Sequence, residues 1–119
     1  MKLCMVGTGY VGLVSGACFA ETGQDVICPD VNEDKIAALN AGRIPIFEPG
    51  LDAIVARCVA GGRLRFTTDV AAAVREATAV FIAVGTPPRA DGGADLAAVD
   101  AVAQTVAEHA AREVVLVLK

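Results

Sequence analysis

Five short β-type runs, each separated from the next by a stretch with helical spacing, constrain this chain more than any other feature. They are KLCMV (2–6), DVICP (25–29), RLRFT (63–67), AVFIAV (79–84) and EVVLVL (113–118). Strand and helix that alternate in this way predict an α/β fold with a parallel sheet, because parallel neighbours need a crossover that helices supply. Helices are expected over 10–22, 32–41, 51–59, 70–77 and 96–110. Gly23, Gly42 and the Gly61–Gly62 pair stand where helix-ending glycines are expected. Asp69 and Asp95 stand where caps of the fourth and fifth helices are expected. Two prolines in RIPIFEPG break regular structure between the second and third helices. The implied arrangement is a doubly wound, Rossmann-type sheet of about five strands in the order 3-2-1-4-5. Its ligand crevice should lie at the carboxyl ends of strands 1 and 4.

The first run leads straight into a G-x-G-x-x-G: Gly7, Gly9 and Gly12. Each glycine has a separate physical task in such a loop. Gly7 allows the tight turn out of the strand, Gly9 lets backbone approach a pyrophosphate, and Gly12 lets the helix pack close to the sheet. The helix that follows aims free N–H groups and its positive end at the same place. The motif alone is weak, but here a strand precedes it, a helix follows, and an acid closes the next strand. That acid is Asp30, 18 positions beyond Gly12. A carboxylate there suits ribose hydroxyls and repels a 2′-phosphate, which favours NAD over NADP. The competing reading of Asp30 is a turn residue or a cap of the second helix. Pro29 costs little at the last position of a strand. The loop VGTPP (84–88) would line the other side of the crevice, or serve as an ordinary turn.

Composition narrows the partners. At 119 residues the chain is expected to be one domain. Ten basic and fourteen acidic side chains give a net charge of −4, a poor match to nucleic acid or an anionic membrane. No apolar stretch approaches the roughly 20 residues of a membrane span, and the start is too soon interrupted by glycine for a secretory signal. A cytoplasmic protein is expected. Cys4, Cys18, Cys28 and Cys58 form no C-x-x-C, and His109 is the sole histidine, so no metal site is expected. The cysteines read as reduced and structural.

Four linked blocks carry a resemblance: GTGYVGLVSGACFAETG, KIAALNAGRIPIFEPGL, GRLRFTTD and VFIAVGTPPRADGGADL. Together they resemble the N-terminal, NAD-binding domain of the UDP-glucose/GDP-mannose dehydrogenase family, over essentially the whole chain. The pairing of GTGYVG with GRLRFTTD is more similar to the UDP-glucose branch than to the GDP-mannose or UDP-N-acetylmannosamine branches. The resemblance implies oxidation of a sugar C6 alcohol to a carboxylate with two NAD, through a thiohemiacetal and a thioester on a cysteine. It places Gly7, Gly9, Tyr10, Val11 and Gly12 on the pyrophosphate and Asp30 on the ribose. It places Lys35 near the adenosine end, and Val84, Gly85, Thr86 and Pro88 along the cofactor. Lys35 reads equally as a solvated helix lysine. Glu48, in PIFEPGL, belongs to a family signature without an assigned role.

The family's catalytic cysteine lies in a phenylalanine- and glycine-rich motif that this sequence lacks, so no catalytic residue is assigned. His109 falls in a helical pattern away from the nucleotide loops and reads as a surface residue. The expectation is a truncated cofactor domain that binds NAD but is inactive alone, with UDP-glucose a partner only of the full-length parent. Apolar surface exposed by truncation would then favour self-association. A stand-alone dinucleotide-binding or sensor module, or a dehydrogenase of another nucleotide sugar, are the alternatives.

Overall fold

The computed structural model describes residues 1–119. Its strands are β1 (Lys2–Val6), β2 (Asp25–Pro29), β3 (Leu64–Thr67), β4 (Ala79–Ile82) and β5 (Val115–Leu118). Its helices are α1 (Tyr10–Glu21), α2 (Glu33–Asn40), α3 (Leu51–Ala60), α4 (Val70–Glu76) and α5 (Ala97–His109). All strand pairs are parallel and the sheet order is β3-β2-β1-β4-β5, as the alternation implied. The chain winds outward from β1 to β3, then crosses back to β4. Right-handed crossovers therefore place helices on opposite faces in the two halves.

Two cores result. On one face Leu3, Met5, Val26, Cys28, Leu64 and Phe66 of the sheet meet Leu13, Ala17, Ile36, Leu39, Leu51 and Val55 of α1, α2 and α3. On the other, Cys4, Val6, Ile27, Val80 and Ile82 meet Ala73 and Val74 of α4 and Val102 and Val106 of α5. Alternate residues of β1 thus feed both cores, as expected of a central strand covered on both sides. Each fully buried Leu or Val contributes about 1.5–3 kcal/mol relative to exposure. The rim differs: Val115, Leu116 and Leu118 of β5 stay exposed.

The helix ends follow the glycines. After α1, Gly23 N donates to the Ala20 carbonyl and Gln24 N to the Phe19 carbonyl. This double closure requires a left-handed residue, and Gly23 supplies it at φ 100°. Gly42 and Gly62 close α2 and α3 in the same way. Asp69 caps α4, accepting from Ala72 N at 2.9 Å. Asp95 sits one position earlier than expected: Leu96 holds the N-cap site of α5, and Asp95 accepts from Ala97 N at 2.9 Å. One further glycine shapes the packing. A Cβ on Gly16 would stand 2.8 Å from Cys28 Sγ, so α1 lies low over β2 only because position 16 has no side chain.

Candidate functional site

At the carboxyl end of β1, where the strand order reverses, Gly7, Thr8 and Gly9 join the sheet to α1. Gly7 has φ 105°, and its N–H donates to the Pro29 carbonyl at 2.9 Å. A Cβ there would lie 2.5 Å from the Ala83 carbonyl oxygen. A Cβ on Gly12 would collide with the Gly7 carbonyl group, 3.0 Å from its carbon. These two glycines are demanded by the protein's own packing. Gly9 is not: its φ is −73°, and a Cβ there would meet nothing within 4 Å. The room it leaves opens at the N-terminus of α1. There the amides of Gly9, Tyr10, Val11 and Gly12 have no protein acceptor, and no acid stands in the first turn. Four free donors and the positive end of a 12-residue helix suit an anion.

Asp30 follows β2 directly and turns its carboxylate toward this loop. Its Oδ2 accepts from Thr8 N at 2.9 Å and from Thr8 Oγ1 at 2.7 Å; its Oδ1 accepts from Asn32 N at 2.9 Å. Partial burial pushes its pKa up. The donors from Asn32 and Thr8, with the Lys35 charge, outweigh that and hold it below the ordinary aspartate value. Asp30 is therefore not the cap of α2. That place belongs to Asn32, which accepts from Lys35 N at 3.0 Å. Thr8 is buried, and its hydroxyl is satisfied only through Asp30.

These groups open into a crevice of about 440 Å³. Gly7, Thr8, Gly9 and Asp30 form one wall, with Lys35 as the one cation. Val84 and Gly85 form part of the other wall. The remaining lining is apolar or small, with Val31, Val70, Ala98, Ala101, Val102 and Thr105 joined by Val6 and Ala83 at the floor of the strands. Volume, apolar walls and a few convergent polar groups are what a small-molecule site requires.

A model of the UDP-glucose/GDP-mannose dehydrogenase family, NAD binding domain, matches residues 1–119. This chain belongs to that family. It is 57% identical over 120 residues to a UDP-glucose 6-dehydrogenase of Rhizobium meliloti, covering 100% of this chain and 28% of the relative. It is 52% identical over 108 residues to the UDP-glucose 6-dehydrogenase TuaD of Bacillus subtilis, covering 91% of this chain and 23% of the relative. Among solved structures, a ternary complex of GDP-mannose dehydrogenase from Pseudomonas aeruginosa superposes with a TM-score of 0.93 at 36% identity. That match covers 99% of this chain and 28% of the other. The chain thus spans about a quarter of the length of these relatives.

As the family's NAD-binding domain, the chain has a crevice whose residues fit the cofactor. Gly9 leaves space that a Cβ would fill, the amides beside it await an anion, and Asp30 keeps acceptor capacity on Oδ1. Of the residues expected along the cofactor, Gly7, Gly9, Asp30, Lys35, Val84 and Gly85 converge on the crevice. Gly12 supports it from beneath, through the Gly7 carbonyl. Tyr10 and Val11 lie at its edge on the first turn of α1, both exposed. Thr86 and Pro88 lead away into an exposed loop that folds back through a Pro88–Ala94 bridge.

Sequence reasoning missed Val31, Val70 and the α5 stripe. One signal was available: Val31 is a large apolar side chain directly after the acid that closes the second strand, and the structure leaves it 81% exposed. Spacing showed that α5 has an apolar face, but not that one end of it lines a crevice. No cysteine lines the crevice. Cys4, Cys28 and Cys58 are buried and Cys18 is exposed; all four are free. Burial pushes the Cys4 thiol up to about 12 and raises Cys28 and Cys58 as well. His109 ends α5 beside Arg75, outside the crevice lining.

Proposed function

We propose that this chain is the cofactor-holding domain of an NAD-dependent UDP-glucose 6-dehydrogenase, an oxidoreductase that converts UDP-glucose to UDP-glucuronate. One observation carries the reading: Asp30, braced by Thr8, faces the same crevice as Gly9 and the free amides of α1. The choice of UDP-glucose over another nucleotide sugar rests on the names of the R. meliloti and B. subtilis relatives.

NAD, when bound, supplies the hydride acceptor. The chain's own residues bind and orient it. Gly7, Gly9 and Gly12 shape the loop, and the amides from Gly9 to Gly12, including Tyr10 and Val11, receive the pyrophosphate. Asp30 Oδ1 takes a ribose hydroxyl. Val31, Val70 and the Ala98–Thr105 face of α5 would offer the adenine the apolar part of the crevice. Lys35 offsets charge near the adenosine, and Val84, Gly85, Thr86 and Pro88 follow the far half. A 2′-phosphate would meet the Asp30 carboxylate with Lys35 as the sole cation, which disfavours NADP. The chain alone oxidises no sugar in this reading, because its buried thiols are held protonated and none reaches the crevice. Four free thiols and no disulfide suit a reducing cytoplasm.

The test is calorimetric titration of the chain with NAD, with NADP, and of Asp30→Ala with NAD. NAD should bind, and both NADP and the variant should bind at least about tenfold more weakly, or ~1.4 kcal/mol. An absence of NAD binding up to millimolar concentration, or equal affinity for NADP, would sink the reading.

A further inference from the structure

The segment between α2 and α3 contains Glu48-Pro49-Gly50-Leu51. The Glu48 carbonyl accepts from Leu51 N at 3.1 Å, and Gly50 has φ 83° and ψ −11°. With proline second and a left-handed glycine third, this is a type II turn. It is anchored at both ends: Leu51 is buried in the first core, and Ile44 and Ile46 pack against that core. The Glu48 backbone is therefore fixed. Its side chain reaches across to α1, where the Tyr10 hydroxyl donates to Glu48 Oε2. Tyr10 is the first residue of α1, directly after Gly9, and its own amide is one of the free donors. An acid 38 residues away is thus tied to the rim of the cradle.

We propose that Glu48 is a positioning residue for cofactor binding, which fixes the Tyr10 ring at the mouth of the phosphate cradle. The inference rests on the cofactor reading above. A tyrosine at the first position of a helix, otherwise exposed, samples several rotamers; one held by a fixed acceptor is already in place when the ligand arrives. The EPG signature then has a physical reason. Proline and glycine set the turn, and the turn aims the carboxylate.

The chain has one tyrosine and no tryptophan, so its phenol absorbance reports Tyr10 alone. The Glu48 hydrogen bond, then its charge, raise the Tyr10 pKa. An ultraviolet pH titration should place the wild-type phenol above the ordinary tyrosine value of about 10, and Glu48→Ala should return it there. In NAD titrations, Glu48→Ala and Tyr10→Phe should each weaken binding about three- to tenfold, with the double variant no weaker than the worse single one. Glu48→Gln, still an acceptor, should keep most of the affinity. Melting temperatures should stay together, which a merely structural role would not give. Unchanged affinity in both single variants, multiplicative losses in the double variant, or a wild-type phenol at its ordinary value would overturn the proposal. Wild-type protein that binds NAD while Glu48→Ala binds equally well removes this inference alone. A raised phenol without any NAD binding removes the cofactor reading, and the positioning role with it.

Discussion

Alanine at Gly9 should separate the needs of the ligand from the needs of the fold. At Gly12 a Cβ would stand 3.0 Å from the Gly7 carbonyl carbon, and neither partner can swing aside because both belong to backbone. Overpacking of that kind costs about 1–3 kcal/mol or more, a serious share of a domain stability of about 5–15 kcal/mol. At Gly9 the same methyl meets nothing within 4 Å, on a backbone at φ −73° and ψ −168° that alanine adopts freely. Two small opposing effects remain there. Lower entropy of the unfolded chain favours alanine by about 0.4–1 kcal/mol, and the poorer N-cap opposes it by a similar amount. The net change in stability should stay within about 1 kcal/mol. The methyl nevertheless occupies the space in front of the free amides of α1, so NAD affinity should fall at least about tenfold. Urea denaturation followed by circular dichroism gives the stability, and calorimetry gives the affinity. If Gly9→Ala loses more than about 2 kcal/mol, the packing argument is wrong. If it binds NAD like the wild type, Gly9 does not face the cofactor.

Thr8→Val keeps the shape of a buried side chain but removes one donor to Asp30, and should cost about 1 kcal/mol near neutral pH. Because the folded pKa of Asp30 is lowered, its contribution is present above the unfolded value of about 3.9 and is lost as pH falls through the folded value. The gap between variant and wild type should therefore shrink in acid; a gap of equal size at neutral and acid pH would refute the role given to that hydroxyl. Cys18 is the exposed thiol of the four, so a disulfide reagent at neutral pH should modify one cysteine quickly in the native protein and four after denaturation. Two or more fast native thiols would contradict the placement of Cys4, Cys28 and Cys58.

Much of this fold was legible because its punctuation is local. Gly23, Gly42 and Gly62 end helices by backbone chemistry that needs no distant partner, and after their first residue KLCMV and DVICP, like AVFIAV throughout, carry the continuous apolarity of strands covered on both faces. The misplacements share one cause: apolarity reports burial, not pairing. Val84 was expected in β4 and instead turns out of the ladder to pack on the second core and line the crevice. Val114, expected in β5, packs there without joining the strand. The glycine loop and Asp30 were legible as a site because strand, turn and acid follow one another at fixed spacing. Gly16 was not assigned a contact, since its need for a bare Cα depends on a sulfur atom on another strand. The Tyr10–Glu48 bond joins two local motifs at long range, and no period within either could reveal it.

The position of Gly7 also governs when the cradle can exist during folding. Its N–H is held by Pro29 at the end of β2, and its α-carbon lies against Ala83, just after β4. The β1–β2 pairing closes within the first thirty residues, but Ala83 N reaches the Val6 carbonyl only after the chain has travelled out to β3 and returned. Contacts of high sequence separation form late, because their loop entropy must be overcome first. The outer half of the sheet can therefore assemble while the loop is still open on one side. The phosphate loop is held on both sides only once the β1–β4 seam has closed, and the crevice it opens into needs α5 as well.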